Sequence, residues 1–191
     1  MSRLSLWLIV AACLSGCQFG VTADPFYEAV LKTQPRNPGA VYLQGQHMYG
    51  QGQFSRAEAY FQRMTSVAPN DPAGWIGLGQ TELELERPAR AEKAFRRAIG
   101  LAGKPLPEAE YGLASALVFQ NKLEAAREQI DKIEKTRGVS GGTERLRGDL
   151  AFMARDYPEA LRRYQQSLAQ APNQPDLHRR VQGLAKLLGA K

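Results

Sequence analysis

One period governs most of this chain. Small residues recur at Gly45, Gly79, Ala114 and Gly148, spaced by 34, 35 and 34 residues. Twelve residues after each stands an alanine, at Ala57, Ala91, Ala126 and Ala160. Four residues further on stands a large side chain, at Phe61, Phe95, Ile130 and Tyr164. Three residue classes hold one register through four copies, which chance does not produce. Prolines punctuate the pattern: Pro38, Pro72 and Pro107 open units, Pro175 opens a final helix, and Pro69 and Pro172 close two units. Proline fits the first turn of a helix and cannot continue the one before it. Gly or Ala in a first helix and Ala in a second let two backbones approach, and the large residue fills the space between neighbouring units. Turns between the helices fall at Gly52-Gln53-Phe54, Arg87-Pro88, Asn121-Lys122-Leu123 and Asp156-Tyr157-Pro158. One such pair cannot bury its apolar face alone, so copies must stack. The reading is an all-α solenoid.

The spacing resembles the tetratricopeptide repeat. The second copy carries Trp75, Leu78, Gly79, Ala91, Phe95 and Ala98, and the fourth Gly148, Tyr157, Ala160, Tyr164 and Pro172. Gln44 and Arg147 stand where leucine is usual, and Gly103 replaces a closing proline. The glycines in 138–142 give the fourth unit a loose start, which would shift its first helix by a residue. The resemblance implies a superhelical solenoid of about four repeats over residues 38–174. Residues 24–37 form an N-terminal helix or partial repeat, since Pro35 lies 34 residues before Pro69. A C-terminal capping helix within 175–191 presents Val181, Leu184, Leu187 and Leu188 on one apolar face.

The first residues read as an address. Arg3 precedes an apolar run over 4–14, short for a membrane span and suited to a secretory signal core. The run ends in Leu14-Ser15-Gly16-Cys17, which resembles a bacterial lipobox. The resemblance implies a signal peptide over 1–16, acylation of Cys17 and a lipid-anchored tether over 17–23. Gln18 after the cysteine, by analogy with enterobacterial sorting, favours the outer membrane with the protein facing the periplasm. The other cysteine, Cys13, also lies in this segment, so the body has no thiol for a disulfide, a thiolate metal site or a nucleophile.

The net charge of +6 is spread without a long basic run. Nucleic-acid binding needs a clustered basic face, so none is expected. The two histidines, His47 and His178, are far apart in sequence, and no metal site is expected. No phosphate loop or nucleophile motif occurs, and Glu82, Glu84 and Glu86 read as solvated face. Catalytic residues, a cofactor and a small-molecule substrate are therefore not expected. The pairs Arg96-Arg97, Arg162-Arg163 and Arg179-Arg180 read as a solvated outer face.

In the resembled family the first helices line a concave groove. The stripe beside each core stripe, at i, i+4 and i+7, is expected to face it. It reads Tyr42, Gln46 and Tyr49, then Ile76, Gln80 and Leu83, then Tyr111, Ser115 and Val118, then Arg145, Asp149 and Phe152. That stripe is aromatic and apolar for a solvent face, as at protein interaction sites. The alternative is that these side chains pack against the N-terminal helix or one another. The lysines and asparagines of a carboxylate clamp are absent from it.

Lipobox and repeats together resemble the pilotin-like lipoproteins of pilus and secretion systems, of the PilF/PilW type and the TadD type of the Flp (Tad) pilus. The resemblance implies a non-catalytic protein that binds a secretin subunit and supports its outer-membrane assembly. The alternative is a periplasmic adaptor for peptidoglycan hydrolases or β-barrel assembly.

Overall fold

The computed structural model describes residues 23–189. The lipobox, Cys17 and most of the tether lie outside the described residues. Ten helices and no strand occur among the described residues. They are α1 (Ala23–Thr33), α2 (Pro38–Gly50), α3 (Phe54–Val67), α4 (Pro72–Glu84), α5 (Pro88–Leu101), α6 (Pro107–Phe119), α7 (Leu123–Arg137), α8 (Gly141–Met153), α9 (Tyr157–Gln170) and α10 (Pro175–Leu187).

The helix starts follow the local chemistry. Pro38 and Pro72 take first-turn positions behind Asn37 and Asp71, whose side chains accept from Ala40 N and Ala73 N. These caps satisfy amides that have no partner within the helix. Pro107 opens α6 without a side-chain cap. The glycine-rich segment before α8 is firmly closed: Ser140 and Thr143 form a reciprocal capping box. No shift follows, because Gly148 still meets Tyr164 as the period requires.

Each turn between paired helices closes the same way. Gly52, Glu86, Asn121 and Arg155 have positive φ of 70°, 57°, 58° and 63°. The amides one residue later, at Gln53, Arg87, Lys122 and Asp156, donate to the carbonyls of Met48, Glu82, Leu117 and Ala151 at 2.8–2.9 Å. This is a Schellman-type closure repeated four times.

Packing is set by glycine against aromatic. A Cβ at Gly45 would stand 2.9 Å from Phe61, one at Gly79 2.8 Å from Phe95, and one at Gly148 2.4 Å from Tyr164. The next unit closes in from the other side: a Cβ at Gly77 would be 2.4 Å from Phe61 and one at Gly112 2.3 Å from Phe95. Phe61 and Phe95 are thus each clamped between two first helices. Gln44 and Arg147, at leucine positions, go separate ways. Gln44 is fully buried, while Arg147 reaches Asp131 and Glu134 on α7 at 2.6 Å. Those carboxylates hold the guanidinium proton more firmly than usual.

Ion pairs add a second link between units. Glu58 on α3 meets Arg87 of the following turn at 3.1 Å, and Glu92 on α5 meets Lys122 at 2.8 Å. The Lys122 hydrogen bond is the main reason the Glu92 carboxyl lies below its ordinary pKa. Glu82, almost fully buried beside Arg87 and Arg90, is pushed the other way by burial and by Glu58.

The helices form two layers. The backbones of α2, α4 and α6 each approach the first helix of the next unit, whereas those of α3, α5, α7 and α9 stay apart and α3 reaches α5 only through side chains, as from Glu58 to Arg90 at 3.7 Å. First helices therefore make the inner layer. Helix α1 packs on α2. Helix α10 packs on α9 through Leu177, Leu184 and Val181, but Leu187 and Leu188 are 65% and 39% exposed, so only part of the expected capping face is covered.

Candidate partner-binding groove

Among the described residues, the inner layer carries a row of cavities, three of which follow one another along the chain. The first, of about 540 Å³, lies across α2, α4 and α6 and gathers Tyr42, Gln46, Tyr49 and Gln80 with Leu43 and Glu108. Gln46 Nε2 donates to Tyr42 Oη at 2.8 Å, and Tyr42 meets the Phe61 ring edge-on at 6.0 Å. Tyr49 packs edge-on to Phe54 at 5.4 Å and donates its hydroxyl to Glu84 Oε1 at 3.1 Å. Burial, with the Glu84 charge second, pushes the Tyr49 phenol up to about 12. The middle cavity, of about 450 Å³, is lined by Leu83, Glu84, Glu86, Pro88 and Phe119.

The third cavity, of about 500 Å³, opens where α8 and α10 part, and these two helices make no backbone contact. Its walls include Val118, Asp149 and Phe152 of the expected stripe, with Phe119, Met153, Arg180, Leu184 and Leu187. Four of these walls are exposed apolar side chains: Phe119 at 54%, Phe152 at 44%, Met153 at 37% and Leu187 at 65%. Asp149 accepts from Tyr164 Oη and from Arg180, each at 2.8 Å. Burial nonetheless raises its carboxyl above the usual carboxylate range, against the pull of Tyr164 and Arg180.

The stripe does not act as one surface. Ile76 and Tyr111 pack against the central core cluster. The Tyr111 hydroxyl lies 2.9 Å from Ser140 Oγ, and its ring sits under Gly142, where a Cβ would be 2.9 Å away. Tyr111 therefore supports the start of α8 instead of lining a cavity. Ser115 is half-buried and lines none of the three cavities. Val118 is a wall with only 2% of its surface exposed. Arg145 is exposed and acts on Asp149 through its charge.

Phe119, Met153, Arg180, Leu184 and Leu187 were not in the expected stripe. Two signals in the sequence point to them. Phe119 and Met153 each follow a stripe residue directly. Adding 35 to Arg145, Asp149 and Phe152 gives Arg180, Leu184 and Leu187, so the repeat register extends into α10, although α10 stands apart from α8. Among the described residues, no group of His, Cys, Asp and Glu is arranged to hold a metal ion, and no helix is long and apolar enough to cross a membrane.

Comparison with known proteins bears on the repeats. A family model described as the tetratricopeptide repeat matches residues 25–74, 42–107 and 76–138. The cytochrome c-type biogenesis protein CycH of Pseudomonas aeruginosa is 30% identical over 128 residues, which is 65% of this chain and 31% of that protein. The chain thus spans about a third of the length of this curated relative. PilW, a type IV pilus biogenesis factor, superposes with a TM-score of 0.74 at 18% identity, over 88% of this chain and 78% of that one. PilF of Pseudomonas aeruginosa superposes with a TM-score of 0.63 at 21% identity, over 82% and 71%. Likeness at these identities establishes the fold and nothing finer.

Proposed function

We infer that this chain, which belongs to the tetratricopeptide-repeat family, works by holding a segment of another protein against the cavities of its inner layer. The observation that carries this reading is the cluster of exposed Phe119, Phe152, Met153 and Leu187 around one 500 Å³ cavity. Solvent-facing apolar side chains scatter singly on most surfaces, and a clustered concave set marks an interaction site. Binding of this kind needs no covalent chemistry.

The finer proposal is a pilotin-like role. Acylated Cys17 would anchor the protein to the outer membrane facing the periplasm, and the groove would hold a secretin subunit during its assembly for a Flp (Tad) or related pilus. Supporting it are the Leu14-Ser15-Gly16-Cys17 sequence and the fold shared with PilW and PilF. Several acyl chains make a lasting anchor, and tethering raises the local concentration of groove and partner, so modest affinity suffices. A second reading, a part in c-type cytochrome biogenesis, is favoured by the 30% identity with CycH across 128 residues.

Photo-crosslinking in cells from position Phe152 tests these readings. Captured secretin supports the pilotin role. Captured cytochrome-biogenesis components favour the second reading, and hydrolases or barrel-assembly factors would make the protein an adaptor. Phe152→Ala with Leu187→Ala is expected to abolish capture of a wild-type partner crosslinked from Leu43, with the helical circular dichroism retained. Capture that survives this change would sink the groove reading.

A further inference from the structure

The walls of the inner cavities run against the charge of the chain. The protein carries a net +6, yet the charged residues lining the three cavities are Glu84, Glu86, Glu108 and Asp149 against Arg180 alone. Arg180 is already paired with Asp149 at 2.8 Å. Of the exposed cations, Arg90, Lys93, Arg96 and Arg97 lie on α5, a second helix outside the inner layer, while Arg145 on α8 acts on Asp149 through its charge. The acids are also placed in order. Glu84 and Glu86 rim the middle cavity, and Phe119 is a wall of both that cavity and the apolar one beyond it. An apolar floor therefore abuts an acidic rim across a single side chain.

We propose that the groove takes a cationic, apolar segment of its partner protein, with large apolar side chains seated among Phe119, Phe152, Met153 and Leu187 and adjacent lysines or arginines reaching Glu84 and Glu86. The proposal rests on the groove-binding reading above. An acidic segment would bring carboxylates against this rim, and like charge across an interface both weakens binding and slows encounter. The Glu84 carboxylate is held in place by the Tyr49 hydroxyl, so it is oriented before a ligand arrives. Both rim acids are exposed, so the preference must weaken as salt shortens the range of their field.

The test uses the purified full chain and short fluorescein-labelled peptides that share one Leu- and Phe-rich core and end in lysines, glutamines or glutamates. The lysine peptide is expected to bind about tenfold more tightly than the glutamate peptide at low ionic strength, with the gap closing as salt is added. Glu84→Gln with Glu86→Gln should erase that gap by weakening the lysine peptide and strengthening the glutamate peptide. Met153→Ala with Leu187→Ala should weaken all three. Equal binding of the three peptides, or a gap that the glutamine substitutions leave intact, overturns the charge preference while the groove reading stands. Self-association of the chain that the same glutamine substitutions abolish would put a second copy in the groove and overturn the assignment. Failure of every peptide to bind, together with no capture from Phe152 in cells, would bring down the groove reading itself.

Discussion

The residue facing each large side chain from the following unit sets how large that side chain can be. Phe61 faces Gly77 and Phe95 faces Gly112, each closer than a Cβ would allow. At the third junction Ile130 is smaller, and Leu146 stands where the glycine was, in the same core cluster. The pair has exchanged volume across the interface. Gly112→Ala is accordingly expected to destabilise the fold by roughly 1–3 kcal/mol through overpacking. Phe95→Ile with Gly112→Leu, which copies the third junction, should recover part of what the two single changes lose. Urea denaturation of the four proteins forms a double-mutant cycle, and strict additivity would show that the two positions do not share one space. Tyr49 offers a second test at this scale. Its phenol pKa is raised from 10.0 to about 12, so the folded state keeps a proton that the unfolded chain loses. The stability this contributes is complete below pH 10 and is lost as pH rises to about 12. The difference between ultraviolet titrations of the wild type and Tyr49→Phe should isolate this late ionisation, since burial raises the Tyr164 phenol as well. Glu84→Gln should move it only partly back, because burial is the larger cause.

Within an element pair, the closing turn demands a left-handed residue whatever the sequence provides. Gly52 meets that demand without strain, and asparagine at 121 tolerates it. Arg155, at φ 63°, carries a Cβ in the same conformation. Arg155→Gly should stabilise the protein by up to about 1 kcal/mol, the relief being partly offset by the greater freedom of glycine in the unfolded chain. Gly52→Ala should lose a similar amount. Denaturant midpoints measure both, and a loss on Arg155→Gly would mean that its side chain makes a contact worth more than the strain.

Across the whole solenoid, contacts among the described residues run between neighbouring units, so stability should vary along the chain. The central core of α5–α8 is one cluster. A separate cluster of Leu161, Tyr164, Leu177 and Leu184 joins α9 to α10. Leu177→Ala and Leu184→Ala should each cost roughly 2 kcal/mol or more. Hydrogen exchange should then quicken in α9 and α10 while α4–α6 keep their protection. Uniform quickening would show that the solenoid opens as one cooperative body.

The period, the helix pairs and the partnership of each small residue with its large one are legible in the order of residues alone. These depend on local rules, namely where proline can start a helix and how closely two backbones can pass. They hold at Gly45 with Phe61 and again at Gly148 with Tyr164, across a glycine-rich segment that threatened the register. Which side chains face the groove depends on how the helices pack in three dimensions. A repeat shows which residues are equivalent, but one residue is about 100° of turn on a helix. The tilt of each helix on its neighbours therefore decides whether a residue or the next one reaches the inside. Ser140 at the start of α8 holds the half-buried Tyr111, Phe119 points out one place beyond Val118, and α10 stands off from α8 and leaves Leu187 uncovered. Those outcomes come from packing between distant segments, which no single period records.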